Sequence, residues 1–159
     1  MPKGHDASPI QYLHQLGFLN LLAELYIRTL VPPAVAGELE RGRAIGIDLP
    51  EIRALSWVKI AAPEGLDKLP SAANLDAGEK EVLALGIQVP EAVVILDERL
   101  GRLHAETLKL NFTGTLGILL RAKVEGHIPR IEPLLERLDH LGFRLSARTR
   151  TAALKLAGE

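Results

Sequence analysis

Apolar positions along this chain switch repeatedly between helical and strand-like spacing. Ser8 and Pro9 mark a helix start, a hydroxyl cap followed by a residue suited to the first turn, and Gly17 its end. Leu19, Leu21, Leu22, Leu25 and Tyr26 fit a second short amphipathic helix, and Thr29-Leu30-Val31 a brief strand stopped by Pro32 and Pro33. The pattern then predicts a helix from about Pro33 to Gly42, a loop over 43–50, a helical turn from Glu51 to Ser56 and a strand at Trp57 to Ile60. Asp76 opens a helix that reaches about Ile87, with an Asp-x-x-Glu capping box. Ala92 to Leu96 is an unbroken apolar run, the mark of a strand buried on both faces of a parallel sheet.

Beyond that run the spacing predicts a helix over Asp97 to Leu108, a short strand at Asn111 to Thr113 and an apolar helix from Thr115 to Glu125. A further helix follows from about Ile131 to His140, then a short strand at Phe143 to Leu145 and a helix capped by Ser146. Strand–helix alternation of this kind predicts an α/β fold: a three-layer α/β/α sandwich around a short-stranded, mostly parallel central sheet. One domain is expected over residues 1–159, with C-terminal helices at about 131–157 and no linker, repeat or low-complexity tract.

Four carboxylates stand where a solvated charge does not belong. Glu38 falls between Ala34 and Val35 on the apolar side of its helix, and Glu79 near the centre of the face made by Val82, Leu83 and Leu85. Asp97 follows the apolar strand directly, at the carboxyl end where ligands of open α/β sheets gather. Asp6 reaches the same edge if a strand precedes it. Together they suit a divalent metal, because like charges brought together are costly without a cation. Simpler roles compete: Asp97 as a cap for the helix after it, Glu79 as the partner of Asp76, and Glu38 snorkelling to solvent or pairing with Arg41.

Composition narrows the function. Of 159 residues 47% are hydrophobic and 25% charged, as expected for one globular core, and the absence of cysteine excludes disulfides and thiolate metal sites. No apolar run approaches the ~20 residues of a membrane span, and Met1 to His5 lacks the core of a signal peptide, so a cytoplasmic protein without a membrane partner is expected. With a net charge of −1 any nucleic-acid contact must come from a local patch. A Gly-x-Ser-x-Gly elbow and a Walker loop are both absent. Asp97 is followed by Glu98 and Arg99, not by the second Asp usual in aspartyl-phosphate enzymes.

Several segments, in order and over nearly the whole chain, carry a family resemblance. They are Asp6-Ala-Ser-Pro-Ile10, Leu30 to Val35 running into Glu38-Leu39, Leu75 to Glu81, Ile95 to Arg99, and Phe112 to Gly117 leading on to Lys123 and to Gly126-His-Ile-Pro129. The chain resembles PIN-domain proteins, in particular the branch similar to VapC-type toxin ribonucleases. That resemblance implies a metal-dependent ribonuclease with Asp6, Glu38, Glu79 and Asp97 as ligands of Mg²⁺ or Mn²⁺, Glu98 sharing the position of Asp97. Thr113 or Thr115 stands for the hydroxyl near the metal, and Arg99, Arg102, Arg121 and Lys123 are candidates for the RNA backbone. It also implies RNA as substrate, a small antitoxin as partner and a homodimer, for which Leu16, Phe18, Leu22 and Tyr26 offer either an interface or core. One departure stands out: the family's first strand is not legible in Met1 to His5, where Pro2 and Gly4 disfavour it. The alternative is a catalytically silent PIN-like module that binds nucleic acid or protein.

Overall fold

The structure, a computed structural model, describes residues 8–69 and 74–159. Asp6, and the stretch in which the first strand was sought, lie outside the described residues. Along the rest run α1 (Ser8–Leu16), α2 (Leu21–Leu25), β1 (Thr29–Val31), α3 (Pro33–Ala44), β2 (Val58–Ile60), α4 (Ala77–Gln88), β3 (Val93–Ile95), α5 (Arg99–Thr107), β4 (Asn111–Thr113), α6 (Thr115–Val124), α7 (Glu132–His140) and α8 (Ala147–Leu156), with 3₁₀ turns at Ile52–Ala54 and Leu66–Lys68. Gly17, at φ +83°, ends α1 in the left-handed conformation that glycine adopts most readily. The side chains of Asp76 and Ser146 accept hydrogen bonds from the Glu79 and Thr149 amides and so start α4 and α8. Pro32, before α3, has no side-chain acceptor to offer, and Glu81 of α4 accepts the Ala34 N–H instead, at 3.1 Å.

The fold is α/β, and its strands pair in parallel. β1 lies beside β2, Leu30 opposite Lys59, and β3 beside β4, Val94 opposite Phe112. Among the described residues these are two separate two-stranded sheets rather than one central sheet. β1 and β3 line a common cavity of about 580 Å³, walled also by Ile10, Leu22 and Leu85. This changes the expectation for the apolar run at 92–96: Val94 is 5% exposed, but Val93 is 40% exposed and opens on that cavity. The other differences are local. Phe143 to Leu145 forms no strand, and the Phe143 ring packs edge-on against Tyr12 with centroids 5.0 Å apart. α5 begins at Arg99, because Asp97 turns away from it, as described below.

The main core gathers α1, α2, α3, α6 and α7 around Leu13, Leu39, Ile118, Leu119 and Leu135, with Ala153 of α8 against it. Leu16 and Leu22 are buried in this core at 2% exposure each, so neither offers a face to a second subunit. A smaller cluster of Leu75, Leu83, Val94, Leu96 and Ala105 joins α4 to β3 and α5. The α7 end is closed by Glu159, whose carboxylate accepts the Ile131 and Glu132 amides at 2.7 and 3.1 Å. Among the described residues no helix is long and apolar enough to cross a membrane.

Candidate active site

β3 delivers Asp97 to its carboxyl end beside the start of α6. One carboxylate oxygen, Oδ1, accepts the Thr115 backbone N–H at 2.8 Å, and Oδ2 accepts the Thr115 hydroxyl at 2.7 Å. Asp97 therefore caps α6, eighteen positions on, and not the helix that follows it. The neighbouring glycine makes this approach feasible: a Cβ on Gly114 would stand 2.7 Å from Asp97 Oδ1 and 3.1 Å from the Leu96 carbonyl oxygen. Burial raises the Asp97 pKa above the ordinary carboxylate value, against the pull of the Thr115 hydrogen bonds and the Arg102 charge. Thr113 is held similarly close to α6, since a Cβ on Gly117 would collide with its hydroxyl.

Glu79 occupies the first turn of α4. Its backbone N–H goes to Asp76 Oδ1 at 2.9 Å while its side chain turns inward, leaving the residue 6% exposed. Its Oε2 is buried without a hydrogen-bond partner, at a point where a Cβ on Gly101 would be 2.7 Å away. Burial, reinforced by the charge of Asp76 and more weakly of Glu98, pushes its pKa up to about 7. Glu98 acts on Asp97 as well, and Asp97 and Glu98 together add to the burial that raises the Tyr12 pKa. Glu98 thus acts on both acids, and Tyr12 stands on the Asp97 side of it. The sequence pattern gives no signal for Tyr12, which lies on α1, far along the chain from Asp97.

Glu38 sits half-buried on α3. Among the described residues no three His, Asp or Glu side chains gather closely enough to hold a metal ion, so Glu38, Glu79 and Asp97 do not form one compact ligand shell. The donors nevertheless suit a hard divalent cation. They are carboxylate oxygens, one of them buried and unpartnered, in a field with excess negative charge, and Mg²⁺ commonly keeps several waters and takes only one or two protein carboxylates.

The predicted cationic residues separate. Arg102 lies over the Phe112 ring, 5.5 Å from its centroid, and with Asp97 and Thr113 it lines a cavity of about 480 Å³. Arg99 is exposed at the start of α5. Arg121 is committed elsewhere: it donates to the Leu25 carbonyl at 3.1 Å, pairs with Glu125 and stacks 5.0 Å over Tyr26. Lys123 pairs with Glu159 at 3.2 Å. Neither of these two lines the cavity beside Asp97. Arg144 does line it, and sequence reasoning passed it over because its segment reads as a strand.

A family model described as a PIN domain matches residues 5–159. No curated protein and no solved structure matches the chain.

Proposed function

The chain belongs to the PIN-domain family, and on that premise we propose that it is a metal-dependent ribonuclease that hydrolyses RNA phosphodiester bonds at the edge marked by Glu79 and Asp97. The observation that carries this reading is the buried, unpartnered Oε2 of Glu79, whose neighbour Glu98 acts on Asp97 as well. A folded chain leaves such a group orphaned at a cost of about 1–3 kcal/mol or more, a cost that a bound cation would offset.

Glu79 and Asp97 would hold Mg²⁺ or Mn²⁺, with Glu38 and Asp6 the remaining acids of the family pattern. When bound, such an ion supplies a Lewis acid that activates water and neutralises charge developing on phosphate. The chain's own residues set the conditions. Thr115, through its amide and its hydroxyl, fixes the plane of the Asp97 carboxylate and leaves further oxygen lone pairs for a ligand. Glu79, its pKa raised to about 7, would have to lose its proton to take a cation, so binding there strengthens as pH rises through neutrality. Arg102, preset on Phe112, faces an incoming phosphate.

A second reading, a PIN module that binds without cutting, is favoured by the same Thr115 bonds: both Asp97 oxygens serve a helix cap. The test is cleavage of a mixed single-stranded RNA in Mn²⁺, in Mg²⁺ and in EDTA, beside Asp97→Asn. An asparagine there can keep both contacts, its carbonyl accepting the Thr115 N–H and its NH₂ donating to the hydroxyl, so the fold is preserved while the charge is removed. Cleavage that needs metal and is lost in the variant supports the nuclease. A folded protein that cuts nothing, or a variant that cuts equally well, leaves the silent module as the account.

A further inference from the structure

The cavity beside Asp97 is closed on one side by the turn between β4 and α6, and on the other by the segment that leads from α7 into α8. Arg102 enters from α5, Arg144 from the C-terminal segment, and the hydroxyls of Thr113, Ser146 and Thr149 complete its polar lining. The sequence reading gave this C-terminal segment no role in the site.

We propose that this cavity is the phosphate subsite for single-stranded RNA, with Arg102 and Arg144 as the two guanidinium arms that receive the phosphodiester next to the bond being cut. The proposal rests on the ribonuclease reading for the identity of its ligand. Charge and shape argue for it. Two arginines in a chain of net charge −1 line one concavity, and Asp97 is the acid that lines it with them. Guanidinium forks match phosphate oxygens two at a time. Arg102 is held beside the cavity by the Phe112 ring, whose face supports the cation. Both arginines are exposed at the cavity, within reach of a strand laid across it. Arg121 and Lys123, by contrast, spend their donors on Leu25, Glu125 and Glu159.

Phe143 and Arg144 also explain why the C-terminal helices matter to the site. The Phe143 ring is pinned against Tyr12 of α1, so its neighbour Arg144 is placed by the core and not by a loose tail. A strand bound here would run from the Asp97 edge across the start of α8, past Ser146 and Thr149.

The test measures binding apart from cleavage: fluorescence anisotropy of a short labelled single-stranded RNA with the full chain in EDTA, over a range of salt. The proteins compared are the native chain, Arg144→Ala, Arg144→Lys, Arg102→Ala and, as a distant control, Arg53→Ala, whose arginine pairs with Glu40. Losing one phosphate contact to a single strand should weaken binding about fivefold near 0.1 M salt and lower the salt slope by about 0.7. Arg144→Ala and Arg102→Ala should each show both changes, Arg144→Lys should recover most of the slope, and Arg53→Ala should match the native chain. Millimolar inorganic phosphate should compete only weakly, which separates a polynucleotide site from one for free phosphate; strong competition by phosphate, or no RNA binding by the native chain, would overturn the proposal. So would native-like binding and slope in Arg144→Ala and Arg102→Ala, and that result leaves the cleavage result untouched. If the two variants lose binding while the native chain cuts no RNA with Mn²⁺, the subsite stands and the nuclease reading alone fails.

Discussion

Glu79 carries a titratable group into a place where its charged form is disfavoured, and the sign of the consequence is fixed. Its folded pKa of about 7 lies above the ordinary 4.5, so its contribution to stability is complete below pH 4.5 and is lost as pH rises through 7. Glu79→Gln is neutral throughout and lacks that loss. Thermal melts in EDTA should therefore show the native chain falling relative to the variant between pH 4.5 and about 8, with the gap constant outside that window; parallel profiles would show that Glu79 is not perturbed. Thr115 offers a second check at this scale. It is fully buried, and Thr115→Val removes the hydroxyl that Asp97 Oδ2 accepts while keeping the shape. A loss of about 1–3 kcal/mol in urea unfolding is expected, together with a further rise in the Asp97 pKa, because one of the bonds that lowers it has gone. A variant as stable as the native chain would mean that the cap on α6 contributes little.

At the scale of elements, the contact between Glu81 and Ala34 ties α4 to the start of α3, the helix that bears Glu38. Glu81→Ala leaves the first turn of α3 with no side-chain acceptor in a helix whose preceding residue, Pro32, supplies none. It should cost about 1 kcal/mol and speed hydrogen exchange at the Ala34 amide before exchange elsewhere; unchanged exchange at that amide would refute the tie. Most helices were legible in the sequence for reasons of this local kind. Asp76, Ser146 and Gly17 are start and stop signals read within one turn, and the ends of α4, α6 and α7 fall within a residue or two of where the apolar spacing put them. What was not legible depends on partners distant in sequence. The apolar run at 92–96 predicts burial on both faces, but whether Val93 is covered depends on what fills the space between β1 and β3. The Asp97 cap on α6 exists because Ile95 pairs with Thr113, a register that brings two strand ends together and leaves no mark in the residues between. The inward turn of Glu79 was legible, because the helical advance puts it on the face of Val82, Leu83 and Leu85, but the lack of a partner for its Oε2 was not, since that depends on what packs above it.

At the scale of the whole molecule the proposed cation would couple these parts, and this gives the most demanding prediction. If Glu79 and Asp97 hold a divalent ion only in the folded state, Mn²⁺ must raise the melting temperature by mass action. At a hundredfold excess over its dissociation constant the gain is about 2.7 kcal/mol, which for a chain of 159 residues corresponds to roughly 5–10 °C. Protons compete for the same oxygens, so the Mn²⁺ shift should be small at pH 4.5 and grow as pH passes through 7, where Glu79 ionises. The pH trend of the metal-free chain runs the other way, with stability declining over the same interval, so the two effects cannot be mistaken for a common drift. Glu79→Gln and Asp97→Asn should each reduce the Mn²⁺ shift, and the double variant should abolish it, while Arg144→Ala, which changes the proposed RNA contact but no acid, should keep it whole. A native chain whose melting temperature ignores Mn²⁺ at pH 8 would remove the metal from the mechanism. The burial of Glu79 and Asp97 beside Glu98 would then have to be explained as a cost that the packing of the fold carries.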